Sequence, residues 1–194
     1  MKTKLRPVLS LRSLMLPGDL INFPPRDPDE GTWNVIIETP QGSRNKFDYD
    51  PDSNLFMLGG LLPEGMSFPF DFGFIPSTLG VDGDPVDILV LMDAPAHAGC
   101  LIEVRLIGII CAEQTEDGKT KENDRLLGVA VHSYNHEPTQ SIDDLGKNLV
   151  AQVQEFFVSY NKQRGKKFKV TGTGGPKKAL KFLKKGIGRA AGKD

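Results

Sequence analysis

Residues 81–91 read VDGDPVDILVL, with three aspartates inside six positions at the mouth of an apolar run. Like charges this close repel and raise one another's pKa unless something positive stands between them. A loop that needed only polarity could use Ser or Asn. Asp82 and Asp84 are two apart, so on extended backbone they point the same way. Gly83 lets the chain pass close to a bound group, Pro85 fixes the turn, and Asp87 opens the strand and can swing back toward the other two. Several carboxylate oxygens without His or Cys suit a hard cation that keeps some of its waters, Mg²⁺ above all. Two other acidic motifs fail here. Counting from Asp82, an EF-hand would need its fifth, sixth and twelfth residues where Val86, Asp87 and Asp93 stand. The aspartate-nucleophile phosphatases place D-x-D after the strand, and here the strand follows.

Outward from this stretch the chain is strand and turn as far as about residue 135. WNVIIET (33–39) is a strand candidate closed by the turn signal PQGS, and NKFDYD alternates polar and aromatic positions. NLFMLGGLL reads as a strand broken by Gly59 and Gly60. VDILVLM, LIEVRLIGII and RLLGVAV (125–131) are β-branched and apolar. Then the period changes. Ile142, Leu145, Leu149, Val153, Phe156 and Tyr160 recur at helical spacing. A last strand, KKFKVTG, precedes a helix opened by Pro176 with an apolar stripe at Ala179, Leu180, Leu183 and Ile187. Short strands first and helices late predict an α+β fold: a small closed β-barrel with flanking helices, two of them C-terminal. The 194 residues are expected to form a single domain, with 1–20 as an N-terminal arm and 175–194 as a basic C-terminal helix and tail.

Composition narrows the function classes. No apolar stretch reaches 18 residues, so no membrane-spanning helix is expected. Cys100 and Cys111 lie in or beside apolar runs and read as reduced core residues, which suits a cytoplasmic protein. The basic start, MKTKLRPVLSLRSLML, is interrupted by Arg12 and lacks a small-residue cleavage site, so a secretory signal is not expected. Residues 164–193 carry eleven Lys or Arg and no acid, whereas the preceding 163 residues carry 24 acids against 13 bases. The apolar stripe makes that basic segment a solvated helix face, and the acidic body would repel a phosphate backbone, so no nucleic-acid partner is expected. TGTGGPKK lacks P-loop spacing, and His132 and His136 sit in a strand exit rather than on a zinc-binding helix.

DGDPVDILV resembles the signature of the soluble family I inorganic pyrophosphatases. VIIETP, NKFDYD, FPFDFGFIPSTL and EFFVSYNKQRGKKFKV extend the likeness over about residues 33–170, in the family's order. The resemblance implies a five-stranded OB-like barrel and a cytoplasmic enzyme that hydrolyses pyrophosphate with Mg²⁺. It also implies a homo-oligomer, with a hexamer favoured over a dimer. Asp82 and Asp87 match metal ligands, and Asp84 matches the carboxylate that takes a proton from the attacking water. Lys46 and Asp48 match the family's K-x-E, with Asp48 one methylene shorter. Glu38 matches an acid of the VIIE strand, and Tyr160 matches a phosphate-contacting tyrosine. In TEDGKTKENDR the family's metal-binding aspartates align with Glu116 or Asp117 and with Asn123, and its lysine with Arg125.

The departures concern positive charge. The family's arginine after its second strand falls at Gly59 or Gly60, its active-site tyrosine at Phe72, and its late-helix lysine at Asn161. Asp124, one residue off register, is a candidate to stand in for the aspartate missing at Asn123. Arg44, Lys162, Arg164 and Lys167 are candidates to restore positive charge, with Arg44 expected on the same strand face as Lys46 two residues on. These losses leave a hydrolase of another phosphoanhydride, or a catalytically weakened metal- and phosphate-binding homologue, as the alternative function.

Overall fold

The computed structural model describes residues 19–26 and 32–192. The expected N-terminal arm therefore lies, up to residue 18, outside the described residues. Nine strands and two helices follow: β1 (Trp33–Thr39), β2 (Asn45–Asp50), β3 (Leu55–Leu61), β4 (Asp71–Ile75), β5 (Val86–Leu91), β6 (Leu101–Glu116), β7 (Lys119–Glu122), β8 (Arg125–Ala130), α1 (Lys147–Gln163), β9 (Lys167–Gly174) and α2 (Pro176–Ala190). Seven strands make one mixed sheet in the order β1-β4-β5-β8-β6-β7, with β9 also on β6, while β2 and β3 pair as a separate hairpin. β6 pairs with β1 as well, Trp33 opposite Val104. All of these ladders are antiparallel except β5 with β8, which run parallel. β6 serves four partners because register shifts at Leu106/Gly108 and Cys111/Ala112 bend it along its length.

The apolar run of β5 is explained by burial on both sides. Leu89 and Leu91 face a cluster with Phe72, Ile107, Leu127 and, from α1, Val153 and Phe157. Ile88 and Val90 face a second cluster with Val35, Ile37, Leu126 and, from α2, Ala179 and Leu183. A strand covered on both faces has no reason to alternate. β4 and β7 are strands that the sequence pattern did not suggest. DFGFI of β4 is buried at every position and so lacks a period-two signal, and KTKE of β7 is polar throughout. β3 runs through the glycines that were expected to break it, with a register shift that leaves Gly59 as the extra residue opposite Lys46/Phe47. The helix expected from Ile142 is split. Ile142–Leu145 form a 3₁₀ turn with Ser141 and Asp144 as a capping box, and Gly146, at φ +75°, turns the chain before α1 begins.

Candidate active site

A cleft of about 630 Å³ opens where the β4–β5 loop, the β2–β3 hairpin, the β6–β7 turn and the end of α1 meet. One wall is acidic. Gly83, at φ +105°, turns the loop so that Asp82 and Asp84 both line the cleft, with Asp87 beyond them on β5. The loop is closed by its own hydrogen bonds: Gly80 N donates to Asp84 O at 2.6 Å, and Asp84 N to Asp82 Oδ1 at 3.3 Å. Burial, then the charges of Asp82 and Asp48, push Asp84 above the ordinary carboxyl range. Asp87 is also pushed up by burial, against the pull of Arg125 and Lys46. Its Oδ2 lies 2.8 Å from Arg125 Nη1.

The facing cations are unusually enclosed. Lys46 on β2 is buried, as is Glu38 on β1. Lys46 Nζ donates to Phe47 O at 2.8 Å, reaches Glu38 Oε2 at 3.5 Å and pairs closely with Asp48. Burial alone would lower its pKa, but the two carboxylates hold it above the usual value. Glu38, which also accepts from Tyr49 N at 2.8 Å, is raised by burial to about 7. Gly59 makes the Lys46–Asp48 contact possible, because a Cβ there would fall 1.6 Å from Asp48 Oδ2. Phe72 lies beneath both cations: its ring centre is 5.1 Å from Lys46 Nζ and 6.0 Å from the Arg125 guanidinium, which also lies 5.7 Å from Phe157. The ring that replaces the expected tyrosine is thus a platform rather than a hydrogen-bond donor.

The structure gathers most of the sequence-predicted residues into this cleft. Glu38, Lys46, Asp48, Asp82, Asp84, Asp87, Glu116, Asp117, Arg125 and Tyr160 all line it. It does not gather four others, Arg44, Asp124, Lys162 and Lys167. Arg44 precedes β2 instead of lying within it, so the same-face expectation does not apply. Its guanidinium meets Glu64 at 2.5 Å and Leu62 O at 3.1 Å, in a separate depression. Asp124 points to the opposite face from Asn123 and Arg125, as alternation along extended backbone requires, and accepts from Ala112 N at 2.9 Å. Lys167, at the start of β9, stands opposite Thr115 of β6 and does not line the cleft, whereas its neighbour Lys166 does, 2.9 Å from Glu116. Asn161 is buried and donates to Phe157 O at 2.9 Å. Lys119, Lys121 and Lys166 are cleft residues that the sequence reading missed. The alternation in KTKE was the available signal, since it puts Lys119 and Lys121 on one face.

Among the described residues, no group of three His, Cys, Asp or Glu side chains converges tightly enough to hold an ion as it stands. Asp87 is turned to Arg125 and Asp48 to Lys46. The donor chemistry nevertheless suits a hard divalent cation. The wall formed by Asp82, Asp84 and Asp87 offers only carboxylate oxygens, and of the three only Asp87 has an ion-pair partner among the described residues.

Residues 35–191 match the family model described as inorganic pyrophosphatase. An inorganic pyrophosphatase of Thermus thermophilus is 36% identical over 178 residues, covering 90% of this chain and 99% of its own. One from Synechocystis is 38% identical over 148 residues, covering 76% and 85%. The crystal structure of the Thermus thermophilus enzyme superposes with a TM-score of 0.81 at 35% identity, covering 89% of this chain and 99% of that one. The solved structure of the Helicobacter pylori inorganic pyrophosphatase gives 0.76 at 31%, covering 82% and 94%.

Proposed function

The chain belongs to the inorganic pyrophosphatase family, and on that premise we propose that its cleft hydrolyses pyrophosphate to two phosphates with Mg²⁺. The observation that carries the reading is the placement of Asp82, Asp84 and Asp87 in one cleft with Lys46 and Arg125. In the reaction a water attacks one phosphorus while the bridging oxygen departs with the other phosphate. Asp84 is suited to accept the water's proton, because a carboxylate pushed upward by burial is a stronger base than a solvated one. Lys46, Arg125 and the Tyr160 hydroxyl would hold the phosphate oxygens. Asp82, Asp84 and Asp87 would hold Mg²⁺, with Glu116 and Asp117 also lining the cleft. When bound, the ion lowers the pKa of water and neutralises charge on the substrate.

The same reading takes the ring of pairings β1-β4-β5-β8-β6-β1 as the five-stranded OB-like barrel, closed, within one domain. It takes the protein as cytoplasmic and as a homo-oligomer, a hexamer sooner than a dimer given its bacterial relatives. Exposed Leu55, Met57, Leu58 and Leu61 support self-association. The bare glycines of β3 favour, as a second reading, a site more tolerant of other phosphoanhydrides. Phosphate release from pyrophosphate, ATP and tripolyphosphate, in Mg²⁺ and in chelator, decides between them. Pyrophosphate is expected to be the fastest substrate, with turnover lost in chelator and inhibited by Ca²⁺. Faster release from ATP or tripolyphosphate would favour the second reading, and full activity in chelator would end the metal-dependent one.

A further inference from the structure

Gly60 stands directly opposite Lys46 in the β2–β3 ladder. Residues so paired project on the same face of a hairpin, so a side chain at 60 would enter the cleft beside Lys46. Another residue already fills that space. A Cβ at Gly60 would lie 3.1 Å from Arg164 Nη1, a guanidinium arriving from just past the C-terminus of α1. Arg164 lines both the catalytic cleft and the depression beside it that the two glycines floor.

The guanidinium is held but not neutralised. Nη1 donates to Tyr160 Oη at 2.8 Å, and its carbon lies 5.4 Å from the centre of the Tyr160 ring. That ring is in turn stacked on Phe156 at 6.0 Å and edge-on to Phe68 at 5.9 Å. Among the described residues no carboxylate comes within ion-pair distance of Arg164, whereas Arg44, Arg125 and Lys166 each have one and Lys46 has two. A positioned, unneutralised fork at the rim of an anion-binding cleft is free to take two oxygens of one phosphoryl group at once.

We propose that Arg164 is a substrate-binding residue. It delivers from the end of α1, across the bare Gly60 backbone, the hairpin-side cation that grips the terminal oxygens of pyrophosphate. The assignment rests on the pyrophosphatase reading, and it explains why two glycines on β3 need not leave a gap in positive charge.

The test combines pyrophosphate kinetics in Mg²⁺ with calorimetric binding of methylenediphosphonate, which is not hydrolysed. Arg164 is exposed, so Arg164→Ala should keep the thermal midpoint of the wild type. It should raise both KM and the methylenediphosphonate Kd at least ~10-fold while kcat moves less, the range expected when a charge-assisted hydrogen bond is lost. Arg164→Lys should recover only part of the affinity. Gly60→Arg placed on the Arg164→Ala background should restore it, because the new side chain enters the space that the old one left. If Arg164→Ala changes KM and Kd by less than twofold in an enzyme that does hydrolyse pyrophosphate, this inference falls and the function stands. If the wild type neither binds methylenediphosphonate nor hydrolyses pyrophosphate, both fall.

Discussion

The acidic wall of the cleft comes from residues 82–87, while the cations that face it come from separate elements, Lys46 on β2 and Arg125 on β8. The two walls are also held differently. The carboxylates of Asp82 and Asp84 sit on a loop fastened by its own hydrogen bonds, whereas Lys46 is clamped between Glu38, Asp48 and the Phe72 ring, and Arg125 between Asp87 and the rings of Phe72 and Phe157. A local motif can place carboxylates that must repel one another, because a bound cation relieves the repulsion. Cations that must stay charged in a half-buried site need partners on every side, and only tertiary structure supplies those.

The sharpest way to break the comparison is at the acidic wall. Asp84→Asn keeps shape and most hydrogen bonding but removes the base, and turnover is expected to fall by roughly 10²–10⁴ with fold intact. Near wild-type turnover would mean that another group takes the proton. Lys46→Met tests the opposite wall. It removes one charge-assisted grip on phosphate, and kcat/KM should drop roughly 10–150-fold, the equivalent of about 1.5–3 kcal/mol. An unchanged kcat/KM would show that Lys46 serves only to neutralise Glu38 and Asp48.

Glu38 gives a smaller effect with a definite sign. Its carboxyl is raised to about 7 from the ordinary 4.5, so the folded protein binds a proton there that the unfolded chain has lost. Stability from this group is therefore fully present below about 4.5 and declines as pH rises toward 7. In metal-free protein, Glu38→Gln should flatten that part of the pH dependence of thermal unfolding. Identical profiles would mean that Lys46 keeps Glu38 ionised throughout. The smallest effect belongs to Arg44→Ala. Because Arg44 is turned to Glu64 and Leu62 and lies outside the cleft, pyrophosphate kinetics should stay within twofold. A tenfold loss would show that Arg44 reaches substrate after all.

The same contrast explains what could be read from the sequence. DGDPVD places three carboxylates by local geometry alone, and all three line the cleft. Arg44 and Asp124 were candidates by proximity in the chain, and both fail for local reasons that only the structure displays. Arg44 lies before the strand begins, and Asp124 is one step out of phase with Asn123 and Arg125. Lys166 looks like any surface lysine in sequence, whereas Lys119 and Lys121 carry only the short alternation of a strand that is polar throughout. β4 was missed for a related reason: burial on all sides erases the alternation by which strands are recognised. Conversely, the apolar run of β5 and the spacing of α1 were legible because each carries its own period or length.

The sheet's pairing order also sets a sequence of events in time. β4 and β5 join through the short loop 76–85, which carries Asp82 and Asp84, so their ladder can close early. Arg125 reaches Asp87 only after β8 pairs in parallel with β5, Ile88 to Leu126, and β1 meets β6 across a still longer loop, Trp33 to Val104. On loop-closure entropy the aspartates are expected to assemble during refolding before their guanidinium partner arrives. The folding rate of this chain should respond to screening salt more strongly than its unfolding rate, a kinetic asymmetry that stopped-flow refolding across ionic strength can measure.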